Sequence, residues 1–335
     1  ITLLFREKDW KRFLGVVCFG GAIMLAYGIF QKFGIWIYPL RNEGSPRVGS
    51  LVGNAAMLAT YLILLVTCAA IFFSKKSRVR AWVSMSSIGL GVLMIFLTET
   101  RSALVGIAAG IMTLAISYVI KKPDPSRPKI RFVALALLGA FIAGGVMIFA
   151  TRNAPMWNNV PGINRIVSIK LASREDTSAQ TRLLTWGLSA KAFKERPILG
   201  WGPENFTVAF EKYYKPQFTT WYDRAHNTFF DYLVMTGILG LLSFLGIFGV
   251  YYWRFFRKTR DYAERNAELR GSKDGSMVNG QMLNVAQRAL LFALPIAYLV
   301  QGLVLFDVLP IYINIFLFLA FANWKFNNKN HVSNI

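Results

Sequence analysis

The amino-acid sequence predicts an all-α polytopic membrane protein, on three observations. The chain of 335 residues is 54% apolar and only 16% charged. Its apolar residues gather into eight runs, roughly 13–31, 51–73, 81–98, 103–120, 132–149, 228–253, 289–306 and 311–324. Crossing the hydrocarbon layer takes about 20 mostly apolar residues in a helix. Finally, the basic residues between the runs alternate in density from one connection to the next. In lipid every backbone group must be bonded internally, and runs this long and continuous suit helices and not the short alternating strands of a barrel.

The first run follows Phe5-Arg-Glu-Lys-Asp-Trp-Lys-Arg12, which reads as an inter-helix connection and not as a signal peptide. Helices are therefore expected on the N-terminal side of Ile1. Residues 1–150 carry five spans, 151–225 form one large loop, and 226–335 carry three more spans with a connection at 254–288. Cys18 and Cys68 fall inside spans and read as packing residues. Two distant histidines and two intramembrane cysteines have no metal-ligand spacing, so no metal and no cofactor are expected.

A net charge of +21 invites a nucleic-acid reading, but the distribution of the charge argues against it. Lys and Arg number 4 in 1–12, 4 in 74–80, 5 in 121–131, 8 in 254–288 and 2 in the tail. The short connections between them hold 3 in 32–50, 1 in 99–102 and none in 307–310. This is the positive-inside pattern, from which long loops are exempt. Both ends of the chain are then cytoplasmic, and 32–50, 99–102 and 151–225 face outward. Arg47, Arg101, Arg182 and His226 share that outer face although they are far apart in sequence.

The loop 151–225 is too long for a bare connector and is expected to fold over the outer surface. Segment 181–195 reads as an amphipathic helix with Thr181 as N-cap, Leu184, Leu188 and Ala192 on one face, and Pro197 ending it. Gly200-Trp-Gly-Pro203 is a turn, and 203–214 a second short helix with Phe206, Phe210 and Tyr213 on one side. The loop holds 11 basic and 6 acidic residues and many aromatics, Trp186 and Trp201 among them. Basic groups can hold phosphate oxygens and flat rings can stack on sugars, but Trp and Tyr also favour membrane interfaces for physical reasons alone.

His226 is one of two histidines; the other, His331, lies in a polar tail and reads as idle. His226 sits in Trp221-Tyr-Asp-Arg-Ala-His-Asn227, where the loop re-enters the membrane, and Asn227 is a plausible N-cap for the following helix. A helix N-terminus disfavours the protonated ring, which leaves a neutral imidazole able to act as a general base, with Asp223 or Glu204 to orient it. The alternative is a boundary histidine with structural hydrogen bonds. Arg101 stands in Leu97-Thr-Glu-Thr-Arg-Ser-Ala103, the sole basic residue of an outer turn, where Ser102, Ala103 and Gly106 leave room for a ligand. A snorkelling arginine or a pair with Glu99 is the other reading. Arg182 opens the amphipathic helix, an unfavourable place for a cation that a nearby anion would relieve; it could equally be a solvated surface residue. Arg47 lies in Gly44-Ser-Pro-Arg-Val-Gly49, where small residues suggest either close packing near a ligand or an ordinary loop charge. Asp231 and Asp307 are the acids nearest the bilayer, where acids are rare.

Taken together, Thr181-Arg182…Trp186, Pro197-Ile-Leu-Gly-Trp-Gly-Pro-Glu-Asn-Phe206, Ala225-His-Asn227 and Thr236-Gly-Ile-Leu-Gly-Leu-Leu242 resemble the superfamily of O-antigen ligases and Wzy-type O-antigen polymerases. Arg47-Val-Gly…Gly53-Asn54 and Glu99-Thr-Arg-Ser-Ala103 sit where that family carries recurring features, so the resemblance covers roughly 45–245. It implies an inverting, metal-independent membrane glycosyltransferase of the helical GT-C architecture. About twelve spans are usual there, and eight fit a chain lacking its first helices. The implied donor is a glycan on undecaprenyl pyrophosphate in the bacterial inner membrane, and the acceptor is a lipid A core sugar, another lipid-linked glycan, or a protein hydroxyl. The implied roles are pyrophosphate binding for Arg101 and Arg182 and acceptor activation for His226. Arg47, Trp186, Trp201, Glu204, Asn205, Asp223, Arg224 and Asn227 are the candidate substrate contacts around them.

A transporter of lipid-linked glycans would also be helical and basic. It should show intramembrane charges, an internal repeat or paired broken helices. Pro295, Gln301 and Gly302 in one span are the only hint of a discontinuous helix. A rhomboid-like protease would need an intramembrane Ser–His pair, which the boundary position of His226 does not offer.

Overall fold

The computed structural model describes residues 4–35, 47–120, 128–157, 160, 163, 167, 177–216, 218, 221–271 and 285–327. His331, the segment 36–46 and most of 158–176 lie outside these residues. The described chain is helical throughout: α1 (Glu7–Lys32), α2 (Ala55–Phe72), α3 (Arg78–Leu97), α4 (Arg101–Ile120), α5 (Pro128–Ala150), α6 (Thr177–Glu195), α7 (Phe206–Lys212), α8 (Thr228–Gly271), α9 (Val285–Gly302) and α10 (Leu309–Asn327). Eight of these coincide with the eight apolar runs. Six helices (α1, α2, α3, α5, α8 and α10) are long and apolar enough to cross a membrane. The chain is a polytopic all-α membrane protein.

Helix starts follow from local chemistry. Gly53 takes a left-handed φ of 75° that only glycine adopts freely, and this turns the chain into α2. Asn54 then caps the helix, its Oδ1 accepting from the backbone N–H of Ala56 at 2.8 Å. Asn227 caps α8 in the expected way, accepting from Phe229 N–H at 2.9 Å and Phe230 N–H at 3.1 Å.

Helix α2 is the centre of the bundle, packed by α1, α3, α9 and α10. Of its apolar window 78% is buried, against 6% for α5, which lies on the periphery. Helix α4 packs closely along α9, and the pair is antiparallel. A Cβ on Gly106 would lie 2.9 Å from the Ala297 carbonyl oxygen, and one on Gly110 would lie 3.4 Å from the Ala297 Cβ. Gly106 therefore admits the backbone of α9, where the sequence suggested room for a ligand.

Three boundaries differ from expectation. Helix α8 does not end near 253 but continues to Gly271, so the connection expected at 254–288 is helical over its first half. Helix α6 starts at Thr177, which places Arg182 in its second turn and removes Thr181 as N-cap. Its buried face is Thr185, Leu188, Ser189 and Ala192, while Leu184 is exposed. Helix α7 begins only at Phe206, because Gly202-Pro-Glu204 is spent on a turn in which Glu204 has a φ of 62°.

Candidate active site at one end of the bundle

The loop is fixed to the bundle by a backbone lock. Helix α8 breaks at Gly237 (φ 64°, ψ −167°), and the turn segment 197–202 packs into the break. Trp201 N–H donates to the Val234 carbonyl (2.8 Å), Gly202 N–H to Met235 (2.9 Å), Ile238 N–H to the Pro197 carbonyl (2.8 Å) and Leu239 N–H to Ile198 (3.4 Å). The two chains approach so closely that a Cβ on Gly237 would lie 2.2 Å from the Ile198 oxygen, and one on Gly200 2.6 Å from Gly237 N. Pro197-Ile-Leu-Gly-Trp-Gly202 and Thr236-Gly-Ile-Leu-Gly240 are thus two halves of one device. It satisfies the backbone groups freed by breaking a helix at the membrane. Around it the loop builds its own small core from Leu188, Ala192, Trp201, Phe206, Phe210, Phe218 and Val234. The discontinuous helix is α8, whereas α9, where Pro295 suggested one, runs as a single helix.

This lock holds the return of the loop into α8, where His226 sits. Its backbone is left-handed at φ 53°, uncommon for a residue with a side chain. The buried Asp231 carboxylate, one turn into α8, accepts the Ala225 N–H at 2.7 Å and fixes the preceding peptide. Asn227 donates to the Leu303 carbonyl (2.7 Å), and Thr228 bonds the Leu305 carbonyl through both N–H and Oγ1 (2.9 Å each), tying α8 to the α9–α10 connection. That connection delivers Phe306, whose ring meets the imidazole edge-on at 5.0 Å, with Tyr222 at 5.4 Å on another side.

The imidazole Nδ1 lies 3.3 Å from the Arg224 carbonyl oxygen. A carbonyl only accepts, so Nδ1 carries the proton and Nε2 keeps its lone pair. Among the described residues Nε2 makes no hydrogen bond. Burial pushes the imidazole below its ordinary value of 6.5, the Arg182 guanidinium adds to this, and the Arg224 carbonyl and Asp223 carboxylate oppose it. The residues named from sequence as its orienting group are corrected here. Glu204 is engaged in an ion pair with Arg224, and Asp223 acts on the ring through its charge alone.

The basic residues converge on this end of the bundle. Arg182 of α6 is close enough for its charge to depress His226. Arg101 opens α4, whose antiparallel pairing with α9 brings it to the level of Gln301 and the connection beyond Gly302, the same segment that braces Thr228 and His226. Arg47 ties the neighbouring loops together. Its Nε donates to the Thr98 carbonyl at 2.8 Å and its Nη2 to Thr100 Oγ1 at 2.9 Å, and Thr100 Oγ1 in turn donates to the Ala55 carbonyl at 3.2 Å. Among the described residues, the four non-glycine positions with positive φ (Ser50, Glu99, Glu204 and His226) all lie in these loops. Strained backbone of this kind concentrates at functional sites.

Other candidates have structural positions. Trp201 is buried, donates from Nε1 to the Ala192 carbonyl at 2.9 Å, and has the Arg196 guanidinium 4.3 Å above its ring. Asn205 donates to the Trp201 carbonyl at 3.1 Å. Trp186 donates to the Ala225 carbonyl at 3.0 Å and stacks on Phe230, which makes it a brace for the His226 peptide. Sequence reasoning missed Phe306 and the 303–305 carbonyls, because no local signal marks a connection about eighty residues further on as the wall of this site.

No curated protein matches the chain. The family model described as O-antigen ligase matches residues 86–245, which runs from α3 through Arg101, the loop and its lock to the first half of α8. Over this domain the chain is similar to the O-antigen ligase family.

Proposed function

We propose that this protein transfers a glycan from undecaprenyl pyrophosphate to an acceptor hydroxyl, at the outer face of the bacterial cytoplasmic membrane, by inverting displacement at the anomeric carbon. The observation that carries the reading is His226: a neutral imidazole with Nδ1 committed to a carbonyl and Nε2 left as acceptor, beside Arg182. A hydroxyl attacking a saturated carbon needs a base, and Nε2 takes its proton as the new C–O bond forms. The bond to pyrophosphate breaks on the opposite side of the carbon, and its electron pair leaves with the phosphate oxygen. Arg101 and Arg182 hold that growing charge. Guanidinium groups remain charged at any working pH and match phosphate oxygens in pairs, so they stabilise the leaving group most as the bond breaks.

The positive-inside distribution supports an orientation with both ends of the chain cytoplasmic and the His226 end outward. Within this reading the helical bundle is GT-C-like, the reaction draws on no metal or cofactor, and the acceptor is a lipid A core sugar, a second lipid-linked repeat or a protein hydroxyl. The test is the full-length protein in proteoliposomes with an undecaprenyl-pyrophosphate glycan, a panel of these acceptors and EDTA. Transfer to one acceptor in EDTA supports the reading and names the subclass. Movement of the intact lipid-linked glycan between leaflets without transfer would replace it with transport.

A further inference from the structure

Gln301, in the last turn of α9, is 2% exposed, and neither its Nε2 nor its Oε1 makes a hydrogen bond among the described residues. Buried polar groups are bonded in the great majority of cases, and an amide with both halves unmet is costly to keep. Its place is telling. On one side α4 presses against it, since a Cβ on Gly106, five residues after Arg101, would lie 3.4 Å from the Gln301 Cβ. On the other, the adjacent Gly302 packs on Thr228, two residues from His226. Gln301 stands between the element that carries a pyrophosphate-binding arginine and the one that carries the base.

We propose that the Gln301 amide binds the sugar attached directly to the pyrophosphate, through a ring hydroxyl or acetamido group. The inference rests on the glycan-transfer reading above and deepens it. In a displacement, the carbon under attack lies between leaving group and base, so the ring that owns this carbon lies between Arg101 and His226. The chemistry of the amide selects the same partner. A pyrophosphate offers only acceptors and would leave Oε1 facing an anion. A hydroxyl or an acetamido group both donates and accepts, and so answers Oε1 and Nε2 together.

The experiment measures binding of two lipids to the full-length chain in nanodiscs: undecaprenyl pyrophosphate and undecaprenyl-pyrophosphate N-acetylglucosamine. The native protein, Gln301→Met (similar shape, no amide) and Gln301→Glu (acceptor kept, paired donor lost) are compared, with melting temperature as the second readout. The native protein should prefer the sugar-bearing lipid. Gln301→Met should lose about tenfold in affinity for it, the worth of two hydrogen bonds, while bare undecaprenyl pyrophosphate binds as before and the melting temperature holds or rises. Gln301→Glu should fall between the two. Three results overturn the assignment: unchanged sugar preference in Gln301→Met, which would leave the amide with a structural water only; equal loss for both lipids; or a lower melting temperature with unchanged affinities. If the native protein binds neither lipid, the glycan-transfer reading itself fails, and this outcome is distinct from the other three.

Discussion

Replacing Gly237 by alanine tests whether the lock between the loop and α8 builds the site. The new Cβ would lie 2.2 Å from the Ile198 oxygen and 2.4 Å from its carbonyl carbon, both backbone atoms that no side-chain rotation can move aside. At φ 64° and ψ −167° an alanine also occupies a region that is essentially glycine's alone, at a cost of about 1–3 kcal/mol. Relieving the clash means separating 197–202 from 234–239, which gives up three cross-bonds of 2.8–2.9 Å. At about 1 kcal/mol each, the total comes to roughly 4–6 kcal/mol. That is a large part of the ~5–15 kcal/mol that holds a typical domain, so the loop should come away while the rest of the bundle stays folded. Limited proteolysis in proteoliposomes should cut the 151–225 region much faster in Gly237→Ala, and transfer activity should be lost with it. Gly246→Ala is the control. It lies on the same helix with nothing within 4 Å of its added Cβ, and it should behave as the parent. If the two variants show the same protease resistance and activity, the lock does not position the loop and the reasoning is refuted.

Three further outcomes follow from the same geometry. Arg47→Gln removes the donors that hold the Thr98 carbonyl and Thr100; stability measured by thermal melting should fall by about 2 kcal/mol, the range for charged hydrogen bonds, and an unchanged melting curve would show the tie to be idle. The acid limb of the transfer rate should lie below the ordinary imidazole value, because burial and Arg182 lower His226 and the neutral ring is the active form. Asp223 favours the protonated ring, so Asp223→Asn should move that limb to still lower pH, and a shift to higher pH in the rate profile would contradict the assignment. Asn227→Ala removes the α8 cap and the bond to the Leu303 carbonyl. Melting should show a loss of about 2 kcal/mol, for a cap and one further bond, and equality with the parent would mean that water replaces both.

Run length is a local property, and the eight apolar runs became helices where the sequence placed them. The cap at Asn227 was legible for the same reason, since it acts within its own first turn. The end of α8 was not. Residues 254–271 are rich in Arg, Lys and Glu, which read as a connection by charge yet are good helix formers. The break at Gly237 was hidden because a glycine in an apolar helix is ordinarily tolerated; only the insertion of 197–202, some forty residues earlier, requires it. The convergence of the arginines with His226 could be read from charge and hydropathy. The groups that set the state of His226 could not: the Arg224 carbonyl, the Asp231 carboxylate and Phe306 depend on how three separate segments meet.

The most direct test of the central claim compares the parent with His226→Ala in proteoliposomes, following loss of the undecaprenyl-pyrophosphate glycan in the presence of the acceptor that serves the parent. A base of this kind contributes about 10²–10⁴-fold, so the variant should bind the donor normally and consume it slower by that factor. Turnover equal to the parent would remove His226 as the base and, with it, the mechanism proposed for this site.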